Sequence, residues 1–298
     1  MEAPPRELVV GVLPYGFRMT LGFSRLPLAR LDWPLGLPAE LERGTVADLT
    51  ATDHLIAYPS STLYYAPRLG VKARLSIMIG EPLAVQGRHM RLIRFLHPLF
   101  HRVLTRNRDL LRAIPNGIFF QYGSTFIKDW TEVDRTKTKD LSIIASAQTS
   151  LEGHRLRHEV VAWLRDTGRD DVDVMGRGYR PFEQKEEGLA PYRYSVVIEN
   201  VREPGHFTEK LVDCLLCDTV PIYWGTRDIG DFFDLDGIIP CEDIEDVRSA
   251  IAGIPEDDYH ARCPAIARNR ELAAGYVDSH GNAARAVLED HQTNRRPR

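Results

Sequence analysis

Short apolar runs alternate with turn signals and helix-period stretches along the whole chain. Residues 8–14 (LVVGVLP), 54–59 (HLIAYP), 73–80 (ARLSIMIG) and 118–126 (IFFQYGSTF) each read as a strand. Runs of this length and composition, apolar on both faces and separated by helical segments, predict a parallel sheet covered on both sides. Residues 88–112 carry apolar side chains at helical spacing (Met90, Ile93, Leu96, Phe100, Val103 and Leu104) and are rich in arginine, with Asp109 the one opposing charge. They predict a long basic helix kinked at Pro98. Its arginines form either a solvated back or a patch for anionic lipid or an anionic acceptor.

Residues 128–140 (KDWTEVDRTKTKD) are polar and predict an inter-domain linker. A second α/β pattern follows. Residues 141–146, 172–175, 194–198, 220–223 and 237–240 read as strands, and residues 157–164, 208–217 and 244–251 as helices. Regular alternation of this kind is the doubly wound pattern. The expected organisation is two Rossmann-like α/β domains facing a cleft, the GT-B architecture. The expected division falls between residues 1–137 and residues 138–298.

Composition narrows the function. The chain has 298 residues, 43% of them hydrophobic, enough for two cores. With 38 basic and 42 acidic side chains the net charge is -4, which argues against a nucleic-acid binder of the ordinary basic kind. No apolar run approaches the length of a membrane span. The first apolar stretch is short, runs into Pro14 and Gly16, and reads as a strand, not as a signal peptide. Four cysteines are too few for a disulfide framework. Cys214 and Cys217, separated by two leucines in a helical stretch, read as buried thiols, not as a redox or zinc pair. The expected setting is cytoplasmic, with peripheral membrane contact through residues 88–112. The terminal Arg295, Arg296 and Arg298 read as a tail with weak attraction for anionic lipid.

The chemistry concentrates in residues 192–233 (YRYSVVIENVREPGHFTEKLVDCLLCDTVPIYWGTRDIGDFF). A strand delivers Glu199 and Asn200 to its carboxyl end, where open α/β sheets bind ligands. After a Pro204-Gly205 loop, Thr208 caps a helix that opens with Glu209 and Lys210. A lysine there can pair with phosphate, and a carboxylate can accept hydrogen bonds from ribose hydroxyls. Taken singly, Glu209 is a capping carboxylate and Lys210 a solvated side chain. Taken together they equip one turn for a nucleoside diphosphate.

The string Y-x-Y, E-N, T-E-K-L and D-T-V-P-I-Y-W-G resembles the signature of the α-1,3-fucosyltransferases. Residues 146–164 resemble that family's serine-containing loop and arginine-bearing helix, and residues 173–178 (DVMGRG) its next strand and glycine turn. The resemblance covers about residues 141–233 and is thin before them. It implies an inverting transferase that uses GDP-fucose as donor and a saccharide or glycoconjugate as acceptor. It implies no tightly bound cofactor and no metal ligands, with Mn2+ or Mg2+ as possible stimulants. Carried over by position, Arg157 and Lys210 hold the diphosphate, Asn200 lines the donor pocket, Glu209 holds ribose and Thr208 sets the loop. His206 stands where the family has tyrosine, and residues 201–205 (VREPG) are this chain's own. Both departures bear on which sugar or base is held.

An inverting displacement needs a general base. Glu81, after the strand 73–80, is the positional candidate and resembles the family's G-E segment. Its bland alternative is a carboxylate that satisfies a turn before Pro82, and Glu203 is the alternate carboxylate. Asp171 and Asp173 have D-x-D spacing, but Asp173 reads as part of a strand. His158 and Glu159 lack a second histidine at zinc spacing. Two other readings stay open: a different nucleotide sugar, and a non-catalytic relative that binds a glycan or partner.

Overall fold

The computed structural model describes residues 6–255 and 257–293, so the tail arginines 295, 296 and 298 lie outside the described residues. The chain divides into two compact units. One runs to Tyr122 and takes back the chain from Asp278 onward; the other is Gly123–Val277.

The first unit is built on five parallel strands, β1 (Val10–Val12), β2 (His54–Ala57), β3 (Arg74–Ile79), β4 (Val103–Thr105) and β5 (Gly117–Phe119), lying side by side in sequence order. Helix α1 (Leu83–Leu96) joins β3 to β4, and α2 (Arg108–Ala113) joins β4 to β5. The continuous basic helix expected over residues 88–112 is therefore corrected. Pro98 ends it instead of kinking it, and Val103 and Leu104, fully buried, form a central strand. Helical spacing misled there because a short apolar run fits both periods. The arginines are dispersed as a result. Arg102 pairs with Asp290 at 2.6 Å, and Arg106 donates to Gly80 O at 2.6 Å.

The second unit holds β6 (Lys139–Ile144), α3 (Glu152–Asp166), β7 (Val172–Met175), β8 (Tyr192–Ile198), α4 (Glu209–Leu216), β9 (Val220–Trp224), β10 (Ile239–Pro240), α5 (Ile244–Gly253) and α6 (Asp258–Ala274). Its parallel sheet runs β10-β9-β8-β6-β7. The chain steps from β6 to β7 on one side, then crosses back to β8 on the other. That reversal puts α3 and α5 on one face, over Leu141, Val196 and Ile222, and α4 on the other, over Val197 and Tyr223.

The segment expected to be a linker belongs to this unit. Trp130 and Val133 pack on the α4 core. The ammonium of Lys137 donates to Ala190 O, Cys217 O and Thr219 Oγ1 at 2.7–3.0 Å. Burial lowers its pKa to about 8. Polar composition concealed this packing because the charged groups are spent on backbone carbonyls.

The chain end returns to the first unit as α7 (Ser279–Thr293). When parallel strands follow in sequence order, right-handed crossovers all fall on one face. That face carries Leu55, Leu75, Ile77 and Val103 with Ile93 of α1. The other face, with Val10, Val12, Ile56, Met78 and Leu104, is covered by Ala283, Ala284 and Val287 of α7. Among the described residues no helix is long and apolar enough to cross a membrane.

The same helix brings His291 to His54 (Nε2 to Nδ1, 3.2 Å) and to Arg74 (3.1 Å), with the His101 ring 5.0 Å from that of His54. Burial, then the neighbouring imidazoles and Arg74, lower the pKa of His54 to about 3. Burial, then Arg102, lower that of His101 to about 4. Both bind protons more weakly folded than unfolded, so the unfolded state takes up protons first as pH falls below the ordinary 6.5. The stability they support is present above 6.5 and is lost toward their folded values of about 3 and 4. Thermal unfolding midpoints are expected to fall as pH is lowered through that window. His54→Phe is expected to flatten the slope there and to leave the separate carboxylate-dependent loss at lower pH.

Candidate functional site

The second sheet reverses its strand order between β6 and β8, and the carboxyl end of β8 opens there. Glu199 and Asn200 follow the last residue of that strand. Helix α3 starts against them. Gly153 N donates to Asn200 O at 3.0 Å, and a Cβ on Gly153 would lie 1.7 Å from Glu199 O. Only glycine permits that approach. One turn later Arg157, 5% exposed, reaches the same strand end. Its Nε donates to Ile198 O at 3.0 Å, and its Nη2 to Ile198 O and to Asn200 Oδ1, the latter at 2.7 Å. Burial lowers the arginine's pKa, and Glu199 and Glu209 oppose that shift. Arg155, the other arginine of that turn, is exposed and donates to Ser150 O.

The loop after Asn200 is held at three points. Arg202 lies over the Trp224 ring at 4.6 Å and pairs with Glu242 at 2.8 Å. His206 N closes a turn on Glu203 O at 3.0 Å, and Gly205 takes φ +65 in that turn. Gly205 N donates to Thr226 Oγ1 (2.9 Å) and Asp228 Oδ1 (2.8 Å). His206 is thereby buried, and Phe207 enters an aromatic cluster with Phe232, Phe233 and Tyr276.

Thr208 then caps α4. Its N–H and hydroxyl donate to the two oxygens of Glu199, at 2.8 and 2.7 Å, so the strand end and the helix start are tied by one buried carboxylate. The Lys210 ammonium lies 3.0 Å from Thr208 Oγ1, 3.0 Å from Glu209 Oε1 and 3.7 Å from Glu199 Oε2. Burial raises the pKa of Glu199 against the pull of Lys210. Burial also works to raise that of Glu209, but Lys210 and Lys185 outweigh it and hold the carboxyl below its ordinary range.

The sequence reading missed Lys185. It lies 3.8 Å from Asp213 of α4 and lines a small void with Arg157, Lys210 and Ser195. Asp213 is fully buried and accepts from Thr125 Oγ1 (2.5 Å) and Phe126 N (3.1 Å), which anchors the start of this unit. Burial raises its pKa to about 6, against Lys185. Nothing in the local spacing marks Lys185, since it stands in a charged turn between two strands.

The residues singled out in this unit thus form one cluster, in which Arg157, Asn200, Thr208, Glu209 and Lys210 are linked through Glu199 and the end of β8. His206 lies in the adjoining turn. Glu81 stands in the first unit, just past the carboxyl end of β3. Its N–H donates to Gln86 Oε1 at 3.4 Å, and its charge helps raise the pKa of Tyr15 after burial. Cys214 and Cys217 are buried thiols with raised pKa, through burial first. Asp173 faces Lys139 and Arg180 at 2.8 and 3.1 Å. Among the described residues no group of three His, Cys, Asp or Glu side chains is placed to hold a metal ion.

Solved structures define the class of fold. A trehalose-6-phosphate synthase aligns with a TM-score of 0.57 and 8% identity over 84% of this chain and 76% of that one. HepE of Anabaena in complex with UDP aligns at 0.55 and 11%, over 81% and 79%. An α1,3-fucosyltransferase with GDP-fucose aligns at 0.50 and 15%, over 88% and 83%. The fold is α/β, of the GT-B glycosyltransferase type, as the alternation of elements led one to expect. A family similarity lies in the second half. Residues 135–254 match the C-terminal domain of glycosyltransferase family 10 (fucosyltransferase), which contains the whole cluster just described. A stretch of 69 residues is 30% identical to the α-(1,3)-fucosyltransferase FucT of Helicobacter pylori, and it spans 23% of this chain and 14% of that protein.

The Lys185–Asp213 pair carries its own expectation. Because the folded pKa of Asp213 is raised, the stability tied to it is full below the ordinary 3.8 and is lost as pH rises through about 6. Lys185→Met removes the opposing cation. The Asp213 titration, followed by carboxyl carbon NMR, is expected to move above about 6, and the unfolding midpoint at neutral pH to drop.

Proposed function

We propose that the protein is an inverting glycosyltransferase that moves fucose from GDP-fucose to a hydroxyl of a saccharide or glycoconjugate. The observation that carries this reading is the single hydrogen-bonded cluster in which Glu199 joins Thr208, Glu209 and Lys210 to the end of β8. The second unit holds the donor, and the first carries the acceptor and the base.

In this reading the diphosphate draws Lys210 away from Glu209. The freed carboxylate, with Lys185 still near it, accepts the ribose hydroxyls. Arg157 is already spent on Ile198 O and Asn200, so it acts through its buried charge and by orienting Asn200. Glu81 takes the proton of the acceptor hydroxyl as its oxygen attacks the sugar carbon. The bond to the diphosphate breaks with its electron pair, and Lys210 and Arg157 stabilise the charge that develops. No tightly bound cofactor is required. Mn2+ or Mg2+, where present, would act by screening the charge of the diphosphate, with Lys210 still its protein partner. His206 at the family's tyrosine position favours one variation, in which the same chemistry uses another nucleotide sugar.

Calorimetric titration with GDP, UDP and ADP side by side tests the donor. Binding of GDP alone is expected, and Lys210→Ala is expected to weaken it by about tenfold or more, the loss of one charge-assisted hydrogen bond. A preference for UDP or ADP would move the donor and keep the transferase. Binding of none, with no turnover, would favour a non-catalytic binding protein. Glu81→Gln is expected to spare nucleotide binding and lower turnover ~100-fold or more. Normal turnover in that variant would remove Glu81 from the mechanism.

A further inference from the structure

The first unit has an unusual surface that the donor chemistry does not use. Between Asp53 and Asp109 the chain carries one carboxylate, Glu81, against nine lysines and arginines; Arg106 is buried, Arg102 pairs with Asp290 and Arg74 meets His291, which leaves Arg68, Lys72, Arg88, Arg91 and Arg94 on the segments described next. Residues 8–31 carry three arginines and no carboxylate. The whole chain has net charge -4, so the positive charge is concentrated in this region and offset elsewhere.

Three segments of this region pack side by side. Met19 N donates to Thr62 Oγ1 at 2.8 Å, and a Cβ on Gly70 would lie 3.3 Å from Ser24. The hydroxyl of Tyr64 meets His89 Nδ1 of α1 at 2.9 Å. Arg68 donates to Leu99 O and lies over the Phe100 ring at 5.2 Å. Out of these same segments come Leu21 (72% exposed), Tyr65 (73%), Leu69 (70%), Phe95 (79%) and Leu99 (42%). Of the thirteen large apolar side chains exposed among the described residues, seven lie in residues 21–99, within or next to this packing, when Leu83 and Val85 of α1 are included and Leu35 is set aside. Helix α1 buries Gln86, Met90 and Ile93 and turns Arg88, Arg91, Arg94 and Phe95 to solvent. Arg25 and Lys72 are exposed on the neighbouring segments.

Isolated exposed leucines are ordinary, but large apolar side chains gathered among cations mark an interaction surface. The chemistry of the occupant follows from the mixture. Aromatic and aliphatic tips standing out of a cationic surface fit the boundary between lipid headgroups and acyl chains, and the exposed arginines of α1 beside Phe95 fit anionic headgroups, while Lys72 lies near the carboxylate of Asp48. We infer that this surface, with Phe95 and Leu99 entering the interface and Arg88, Arg91 and Arg94 meeting headgroups, docks the protein on anionic membranes. The inference replaces the continuous basic helix expected from the sequence with a three-segment surface, and it does not depend on the identity of the donor.

Sedimentation of the full chain with vesicles tests it. The protein is expected to bind vesicles of phosphatidylglycerol and phosphatidylcholine in equal parts, and to bind phosphatidylcholine vesicles far less. Arg91→Ala with Arg94→Ala is expected to weaken binding ~25-fold, about fivefold for each arginine near the surface. Phe95→Ser with Leu99→Ser is expected to weaken it comparably. All four side chains point to solvent, so unchanged thermal unfolding and nucleotide titration would show that the variants are folded. Equal binding to both kinds of vesicle, or binding untouched by either pair of substitutions, would overturn the proposal. So would a dimer that Phe95→Ser dissociates in a protein that binds no vesicle, since the occupant would then be a second copy. A protein that binds vesicles but no nucleotide would leave this inference standing and sink the donor assignment.

Discussion

The second unit depends on the contact between Gly153 and the end of β8. A backbone carbonyl sits where any other residue would place its Cβ. That approach lets α3 begin directly over the strand end and brings Arg157, one turn on, to the carbonyl of Ile198. An arginine in this position does two jobs. It binds the carbonyl of the last strand residue, and it fixes the amide of Asn200. The cost is the burial of a guanidinium, which these hydrogen bonds and the nearby carboxylates of Glu199 and Glu209 offset.

From that contact outward the cluster is a chain of compensations. Glu199 is a fully buried carboxylate, an arrangement that is costly unless its oxygens are satisfied. Thr208 satisfies both oxygens and, in doing so, sets the start of α4. The start of α4 places Glu209 and Lys210 at the rim. Lys185 and Asp213 extend the alternation of charge beneath them to Thr125 and Phe126. The polar groups at the start of α4 are therefore held by groups beneath them, which fixes the place of a flexible lysine. A buried carboxylate with pKa about 6 is tolerated in Asp213 because it ties the entry of the chain into the unit.

The first unit solves a different problem. Its strands follow one another across the sheet, so the connections cover a single face. The second face needs a helix from outside the run, and α7 supplies it with small residues, Ala283 and Ala284, that let the helix approach closely. Histidines at the amino ends of the strands pack where α7 closes, neutral because burial and neighbouring cations disfavour their charge. The same unit leaves its positive charge and exposed apolar side chains together on the segments that precede and include α1.

The sequence by itself determined the class of fold, most strand positions and the makeup of the second-unit cluster. β2, β3, β7, β8 and β9 lie in clearly apolar runs, and Thr208, Glu209 and Lys210 are adjacent, so local pattern was enough to find them. Tertiary structure alone decided the rest. β4 was absorbed into a helical reading because three residues carry no decisive period, and only pairing with β3 and β5 makes them a strand. Residues 128–140 looked like a linker because their charges are visible in sequence and their carbonyl partners, more than fifty residues away, are not. Lys185 was missed for the same reason: its meaning lies in Asp213 and Glu209, which only the fold brings near. The return of α7 is the largest such case. A helix cannot reveal from its own residues which sheet has an uncovered face.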